Sequence, residues 1–368
     1  MRDELEQQQF FMRRALQLGE RGRLTAPPNP WVGCVIAKEG KIVGEGYHEE
    51  PGKAHAEVSA LKKAGSLAAG ATAYVTLEPC AHWGRTPPCI TALIEAKIKK
   101  VVIPFLDPDV RVSGKGVSLL KEHGVELLIG VCQEEAEKML APYLHHRKTG
   151  EPFCVLKAAL SLDGKIAAVD GSSQWITQEE ARRDAHFMRA QSQAILIGSG
   201  TALRDQPRLT VRLDLATPYK QPLRVVVDAQ GRVAAQGPLF DQELSSTLMV
   251  TTARCCEKRR KEWESRGAEV IILSAIGEHV DLQALVRELG KRGVVQLLVE
   301  GGSEIATAFF QQKLVQRLVL YFGGSLLGVE GKPFLNLSVG SLHESPRLML
   351  ESLSRLGNDI RVDYRCRG

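Results

Sequence analysis

Aromatic residues are scarce in this chain: Phe, Trp and Tyr make up 5% of 368 residues. The net charge is only +5, and it is diffuse. Together these exclude the basic, aromatic-laced groove that binds single-stranded nucleic acid, so no nucleic-acid partner is expected. No run approaches the 18 apolar residues that a membrane span needs. The first residues, MRDELEQQQFFMRRA, carry acids early and no apolar core, which argues against a secretory signal. The eight cysteines are scattered through a long chain rather than packed into a short one. That usage points to a cytoplasmic, reducing setting, where thiols bind metal or lie buried.

What is present fits a soluble globular protein. A hydrophobic fraction of 44% and a charged fraction of 25% are ordinary for globular proteins. A chain of this length exceeds one core, so two domains are expected. The polar stretch His145-His146-Arg-Lys-Thr-Gly150-Glu-Pro152 sets the boundary, giving domains 1–148 and 149–368. The His-His pair lacks companion ligands and reads as a solvated helix end.

The most informative stretch is Lys53-Ala-His55-Ala-Glu57, followed by Pro79-Cys80 and Pro88-Cys89. One imidazole and two thiolates suit a single Zn²⁺, and three protein ligands leave a fourth position for water, as in a catalytic zinc. Glu57 stands two residues past the His, placed to move protons without ligating. The pattern H-x-E followed by P-C and a second Cys marks zinc-dependent nucleobase deaminases, in which zinc lowers the pKa of its water to about 7. Strands alternating with helices across residues 31–145 predict an α/β layered domain. His55 and Cys89 fall in the first turns of two helices, whose dipoles favour a thiolate.

From Phe153 the pattern changes to near-continuous apolar strands such as FCVLKAALS, as a buried parallel sheet requires. Thr177-Gln-Glu-Glu180 reads as a capping box for a helix to about Gln191. Strands at 194–198 and 295–299 end in Gly198-Ser-Gly-Thr201 and Glu300-Gly-Gly-Ser303, each opening a helix, a geometry suited to phosphate. Neither is G-x-G-x-x-G, so a standard Rossmann site is excluded.

Longer motifs carry a resemblance. Eight residues separate the cysteines in PCAHWGRTPPC, where the general deaminase pattern has two. With Asn29-Pro-Trp-Val-Gly-Cys34 and His55-Ala-Glu57 upstream, this resembles the deaminase half of the bifunctional riboflavin-biosynthesis deaminase/reductase family. Lys157-Ala-Ala-Leu-Ser161-Leu-Asp163-Gly-Lys165, Ser173-Gln-Trp175, Ala181 to Arg189, Gly198 to Arg212 and Val299-Glu-Gly-Gly302 resemble its reductase half. The resemblance spans roughly residues 8 to 365. It implies a cytidine-deaminase-like α/β/α domain followed by a dihydrofolate-reductase-like α/β domain.

The first half would hydrolyse the 2-amino group of 2,5-diamino-6-(5-phosphoribosylamino)pyrimidin-4-one. The second would reduce the product's ribosyl group to ribityl with NADPH. Asn29, His48, His82 and Arg85 would hold the pyrimidine substrate. Ala159, Trp175, Thr201, Asp205, Gly302 and Ser303 would touch NADPH, and Ser173, Arg189, Leu209, Arg212 and Glu300 the phosphoribosyl substrate. Lys157 and Glu300 are both candidates for the reductase's acid. Arg189 and Arg212 also make chemical sense alone, since guanidinium groups grip phosphate. Cys34 matches the family motif but reads as a buried strand thiol. Three motifs depart from the family: Asp107-Pro108-Asp109-Val110 for Asp-Pro-Asn-Pro, Arg204-Asp205-Gln206-Pro207 for Ala-Asp-Asp-Pro, and Gln193-Ala194-Ile195 for Asp-Ala-Ile. The resemblance further implies a homo-oligomer. Two competing readings are a nucleoside or tRNA deaminase with a non-catalytic second domain, and a structural-zinc module closed by a fourth ligand, for which His82 is the candidate.

Overall fold

The structure, a computed structural model, describes residues 2–84, 87–109 and 112–366; Arg85 lies outside them. The chain divides into two compact units, Met1–Gly150 with Ala216–Tyr219, and Glu151–Leu215 with Lys220–Gly368.

The first unit holds a five-stranded sheet of order β2-β1-β3-β4-β5, made of β1 (Gly33–Lys38), β2 (Lys41–Tyr47), β3 (Thr72–Val75), β4 (Lys100–Ile103) and β5 (Glu126–Ile129). The strands from β2 to β3 run antiparallel and those from β3 to β5 parallel. Its helices are α1 (Arg2–Glu20), α2 (Ala56–Ala64), α3 (Cys89–Glu95), α4 (Lys115–Glu122) and α5 (Gln133–Thr149). Ala56 and Ala60 of α2, Leu93 of α3 and Leu120 of α4 share one core with Cys34, Ile36, Ala73 and Val75. Tyr74 alternates with Ala73 and Val75 and so faces the other side, where Phe11 of α1 packs on its ring at 5.1 Å. Helices on both faces give the expected α/β/α layering.

Glycine decides how closely α2 can lie on the hairpin. A Cβ at Gly44 would sit 2.3 Å from the Ala60 carbonyl oxygen, and one at Gly46 2.4 Å from that of Ala56. Only bare backbone on β2 leaves room for the helix that begins beside His55.

The second unit is a nine-stranded sheet of order β11-β10-β9-β8-β14-β6-β15-β18-β17. Its strands are β6 (Phe153–Leu160), β8 (Ala194–Gly198), β9 (Leu223–Val227), β10 (Thr247–Thr251), β11 (Glu269–Ile272), β14 (Gln296–Val299), β15 (Arg317–Phe322), β17 (Met349–Leu356) and β18 (Asp359–Arg365). Short ladders pair β7 (Lys165–Ala167) with β16 (Lys332–Pro333) and β12 (Ala275–Ile276) with β13 (His279–Val280). Every pairing from β11 across to β15 is parallel, and the apolar runs fill a continuous core. The helices are α6 (Glu179–Ala190), α7 (Ser199–Asp205), α8 (Glu257–Ser265), α9 (Leu282–Lys291) and α10 (Ser303–Gln311). Strand β17 carries no expectation from sequence, because six of its eight residues are exposed and it is held by its backbone ladder to β18.

One expectation is corrected. Helix α6 has Gln178, not Thr177, at its N-cap, and no side chain of the cap residue bonds its first turn. The Asp359 carboxylate accepts the Gln178 N–H instead, at 2.6 Å. A distant acid on β18 does the work assigned to a local capping box.

Candidate functional sites

In the first unit, the loop before α2 and the start of α3 meet. His55 is the N-cap of α2 rather than a first-turn residue, and Cys89 is the first residue of α3. Nδ1 of His55 lies 3.1 Å from Sγ of Cys89 and 3.6 Å from Sγ of Cys80. All three donor atoms fall within 4.8 Å of one another. Among the described residues this converging set has three members, and His82 is not one of them.

The donor chemistry and convergence fit a zinc ion. Cys80 accepts from the Cys89 thiol, from His55 and from the Cys89 N–H, which brings it down to about 4. Cys89 holds the shared proton and is pushed up, through its bond to Cys80 and by burial. A bound cation would deprotonate both.

Glu57, in the first turn of α2, is 4% exposed. Burial, and next the Cys80 thiolate, raise its carboxyl to about 6. Cys34 lies fully buried on β1, its thiol pushed up by burial, as a structural strand cysteine should be. His48 packs edge-on against His55 with ring centroids 5.2 Å apart. Its Nδ1 is 3.2 Å from the Ala54 carbonyl oxygen, so the ring donates there and Nε2 accepts from Asn29 Nδ2 at 3.0 Å. Burial lowers the His48 pKa, which keeps that acceptor free of a proton. His82 is half-buried, and its Nδ1 has no hydrogen-bond partner among the described residues. Asp109 is buried with its carboxylate 3.9 Å from Arg147, and Tyr143 donates to Asp107 at 3.1 Å. His145 and His146 stand in the last turns of α5, half-buried rather than solvated.

The second unit gathers a charged cluster at strand ends. Arg189 of α6 donates Nε and Nη2 to the two oxygens of Glu300 at 2.8 and 2.7 Å, and Nη1 to the Thr210 carbonyl at 3.1 Å. Burial opposes ionisation of Glu300, but Arg189 first and Lys157 next hold it down to about 2. Lys157 sits over the Tyr321 ring at 5.5 Å, its pKa lowered by burial against the pull of Glu300. Burial, then Arg189 and Arg212, push His186 down to about 4, and its Nδ1 accepts the Arg212 N–H at 3.2 Å. Arg189 is thus committed to Glu300, while Arg212 is exposed.

Nearby in the chain, Gly302 N–H donates to Thr201 Oγ1 at 3.1 Å, joining the starts of α7 and α10. A Cβ at Gly301 would lie 1.7 Å from Cγ2 of Ile305, and Ser303 Oγ is buried without a hydrogen-bond partner among the described residues. A crowded, donor-bearing helix start with an orphaned hydroxyl fits a cofactor phosphate. Trp175 is 67% exposed beneath the Arg182 guanidinium at 4.6 Å. Ala159 and Ser173 are half-buried, Leu209 is buried with φ 51°, and Asp205 ends α7, its pKa raised by burial. Gln206 is the left-handed C-cap of α7, with φ 39°.

Sequence reasoning missed His186 and Glu78. The first was visible as a polar residue three before Arg189 on α6. The second stands two residues before Cys80, and its bonds form only in three dimensions.

Comparison with known proteins gives one consistent result. Residues 5–104 match the cytidine and deoxycytidylate deaminase zinc-binding region, and residues 152–362 match the RibD C-terminal domain. The latter match displaces the reading in which the second half is a non-catalytic accessory. A Chlamydia muridarum riboflavin biosynthesis protein RibD is 44% identical over 99% of this chain and 98% of its own. The Escherichia coli K12 RibD is 42% identical over 96% and 98%. A solved Acinetobacter baumannii RibD superposes with a TM-score of 0.89 at 38% identity, covering 99% of this chain and all of its own. A Thermotoga maritima diaminohydroxyphosphoribosylaminopyrimidine deaminase/5-amino-6-(5-phosphoribosylamino)uracil reductase does so with 0.87 at 31%, covering 99% and 100%. With both halves matched in order and relatives aligned nearly end to end, the chain belongs to the RibD family of bifunctional riboflavin-biosynthesis deaminase/reductases.

Proposed function

We propose that the chain carries out two consecutive steps on one phosphoribosylated pyrimidine, those for which the Thermotoga maritima relative is named. The first is hydrolytic deamination of the diaminopyrimidine. The second is NADPH-dependent reduction of the ribosyl group of the resulting uracil to ribityl. The observation that carries the reading is the convergence of His55, Cys80 and Cys89 beside buried Glu57, on the same chain as the Lys157–Glu300–Arg189 cluster.

His55, Cys80 and Cys89 would hold the zinc, which when bound polarises water and makes it a nucleophile at neutral pH. Glu57 would take the two protons of a water molecule in turn, passing one to the ring nitrogen and the other to the departing amine. Its burial excludes bulk water from the exchange. His48, neutral and anchored on Ala54, fixes the Asn29 amide by accepting its N–H, which leaves Asn29 Oδ1 to accept from the pyrimidine edge. Arg85 and His82 remain assigned to the pyrimidine substrate by resemblance.

In the second unit NADPH would be held by Ala159, Trp175, Thr201, Asp205, Gly302 and Ser303, and supplies the hydride. Ser173, Leu209 and Arg212 would position the phosphoribosyl group. Arg189 keeps Glu300 ionised and oriented, so Glu300 has no proton to give, and Lys157, its pKa lowered by burial against the pull of Glu300, is the candidate donor that remains.

The test is incubation of zinc-loaded protein with the diaminopyrimidine phosphoriboside, with and without NADPH. Ammonia should appear in both, and NADPH should be consumed only after deamination. Zinc-loaded protein that releases no ammonia overturns the first step. No NADPH oxidation on the deaminated compound, supplied directly, overturns the second.

A further inference from the structure

A carboxylate that ligates nothing ties the metal-ligand loop to the wall of a neighbouring cleft. Glu78 lies two residues before Cys80 and is 4% exposed. No lysine, arginine or histidine partners it in the ion pairs of the described residues. Its oxygens accept three backbone N–H groups of one distant segment instead. Oε2 takes those of Asp107 at 3.1 Å and Gly114 at 3.0 Å, and Oε1 takes that of Val117 at 3.2 Å. The last belongs to the first turn of α4, whose own N-cap, Gly114, has no side chain to offer. Glu78 therefore caps α4 from outside, and its negative charge suits that helix's positive end.

The same segment presses on the ligand loop. A Cβ at Gly116 would fall 2.3 Å from the Pro79 carbonyl oxygen and 3.2 Å from Oε1 of Glu78. Helix α4 thus starts in direct contact with the peptide that leads into Cys80. Between them opens a cleft of about 480 Å³, lined by Ala81 on one side and by Ser113, Gly114, Lys115, Ser118 and Leu119 on the other. Ala81 adjoins Cys80, so the cleft begins one residue from the metal-binding donors.

We propose that Glu78 is a positioning residue of the deaminase. It fixes the 113–119 wall at a set distance from Cys80, and with it the part of the substrate that lies away from the reacting carbon. This rests on the deaminase reading above and adds a residue to it. Held by three charge-assisted bonds from a buried acceptor, the wall is pre-organised before substrate arrives. Loss of the anchor should loosen substrate binding while the three donors and Glu57 keep their own supports.

The experiment compares wild-type protein, Glu78→Gln, Gly116→Ala and the double variant, each zinc-loaded. Measured are bound zinc, ammonia release against diaminopyrimidine phosphoriboside concentration, and reductase rate on the deaminated compound. Both single variants should retain one zinc per chain and full reductase rate, with deaminase KM raised on the order of 10-fold and kcat changed less. The double variant should be no worse than either, because both act on one contact. Zinc-replete Glu78→Gln with unchanged KM overturns the proposal, as does a loss confined to kcat. Additive losses in the double variant also overturn it. Should Glu78→Gln fail to bind zinc, Gly116→Ala decides alone, since it leaves every side-chain acceptor intact. Wild-type protein that releases no ammonia would instead refute the deaminase reading itself.

Discussion

The two halves bury charge in opposite ways. In the first unit His55, Cys80 and Cys89 turn their donor atoms on one another, with Cys80 held as the acceptor of hydrogen bonds from Cys89 and His55. In the second, Glu300 is buried as an anion but is gripped on both oxygens by Arg189 and drawn on by Lys157. The first arrangement would be completed from outside by a metal. The second is neutralised from within, and Arg212 is exposed. A site that borrows its charge and a site that owns it should fail differently.

The sharpest way to break the comparison is to deny the first site its cation. Cys89→Ser, or prolonged chelation, should abolish ammonia release while NADPH oxidation on supplied deaminated compound continues at the wild-type rate. A parallel loss of both activities would show that the two sites are not independent. Glu57→Gln comes next: zinc content should hold by metal analysis, and deamination should fall by about 10²- to 10⁴-fold. Retained turnover would remove Glu57 from its role.

In the second unit, Arg189→Ala leaves the Glu300 carboxylate buried and unpaired. Removing one partner of a buried pair costs about 3–5 kcal/mol. The reductase half should therefore melt earlier by calorimetry and lose activity, with deaminase kinetics unchanged. An unaltered melting profile would mean that the pair is not holding the site.

The smallest expected effect concerns pH. His186 is pushed down to about 4 from an ordinary 6.5 by burial and by Arg189 and Arg212. Between those values the unfolded chain binds a proton that the folded one refuses. Stability from this group is complete above pH 6.5 and is lost as pH falls through 4. His186→Gln should flatten the pH dependence of the reductase half's melting temperature in that window. A slope identical to wild type would assign it to other groups.

Much of both sites was legible because their chemistry lies in short segments. His55 and Glu57 are two residues apart, Cys80 and Cys89 share one loop, and Glu300 to Ser303 are consecutive. The alternation of strands with helices in the first half and near-continuous apolar runs in the second likewise exposed most strands of the two sheets. What escaped is what only tertiary structure joins. Asp359 caps α6 across 181 residues of chain, and Glu78 reaches 29 to 39 residues ahead to backbone groups that carry no sequence signature. Strand β17 has no buried face to impose a period of two. Arg189 shows a subtler limit. Its type suggested a phosphate grip, and only the coordinates reveal that its guanidinium is spent on Glu300 and Thr210.

The bare backbone at Gly44 and Gly46 has a last consequence. Helix α2 rests directly on the bare backbone of Gly44 and Gly46, and it starts beside His55 and carries Glu57. A methyl group added at either glycine would lift the metal donor and the proton carrier together, by one motion and in one direction. Neither can be tuned alone from beneath. Variation in the hairpin is therefore inherited by the site as a whole.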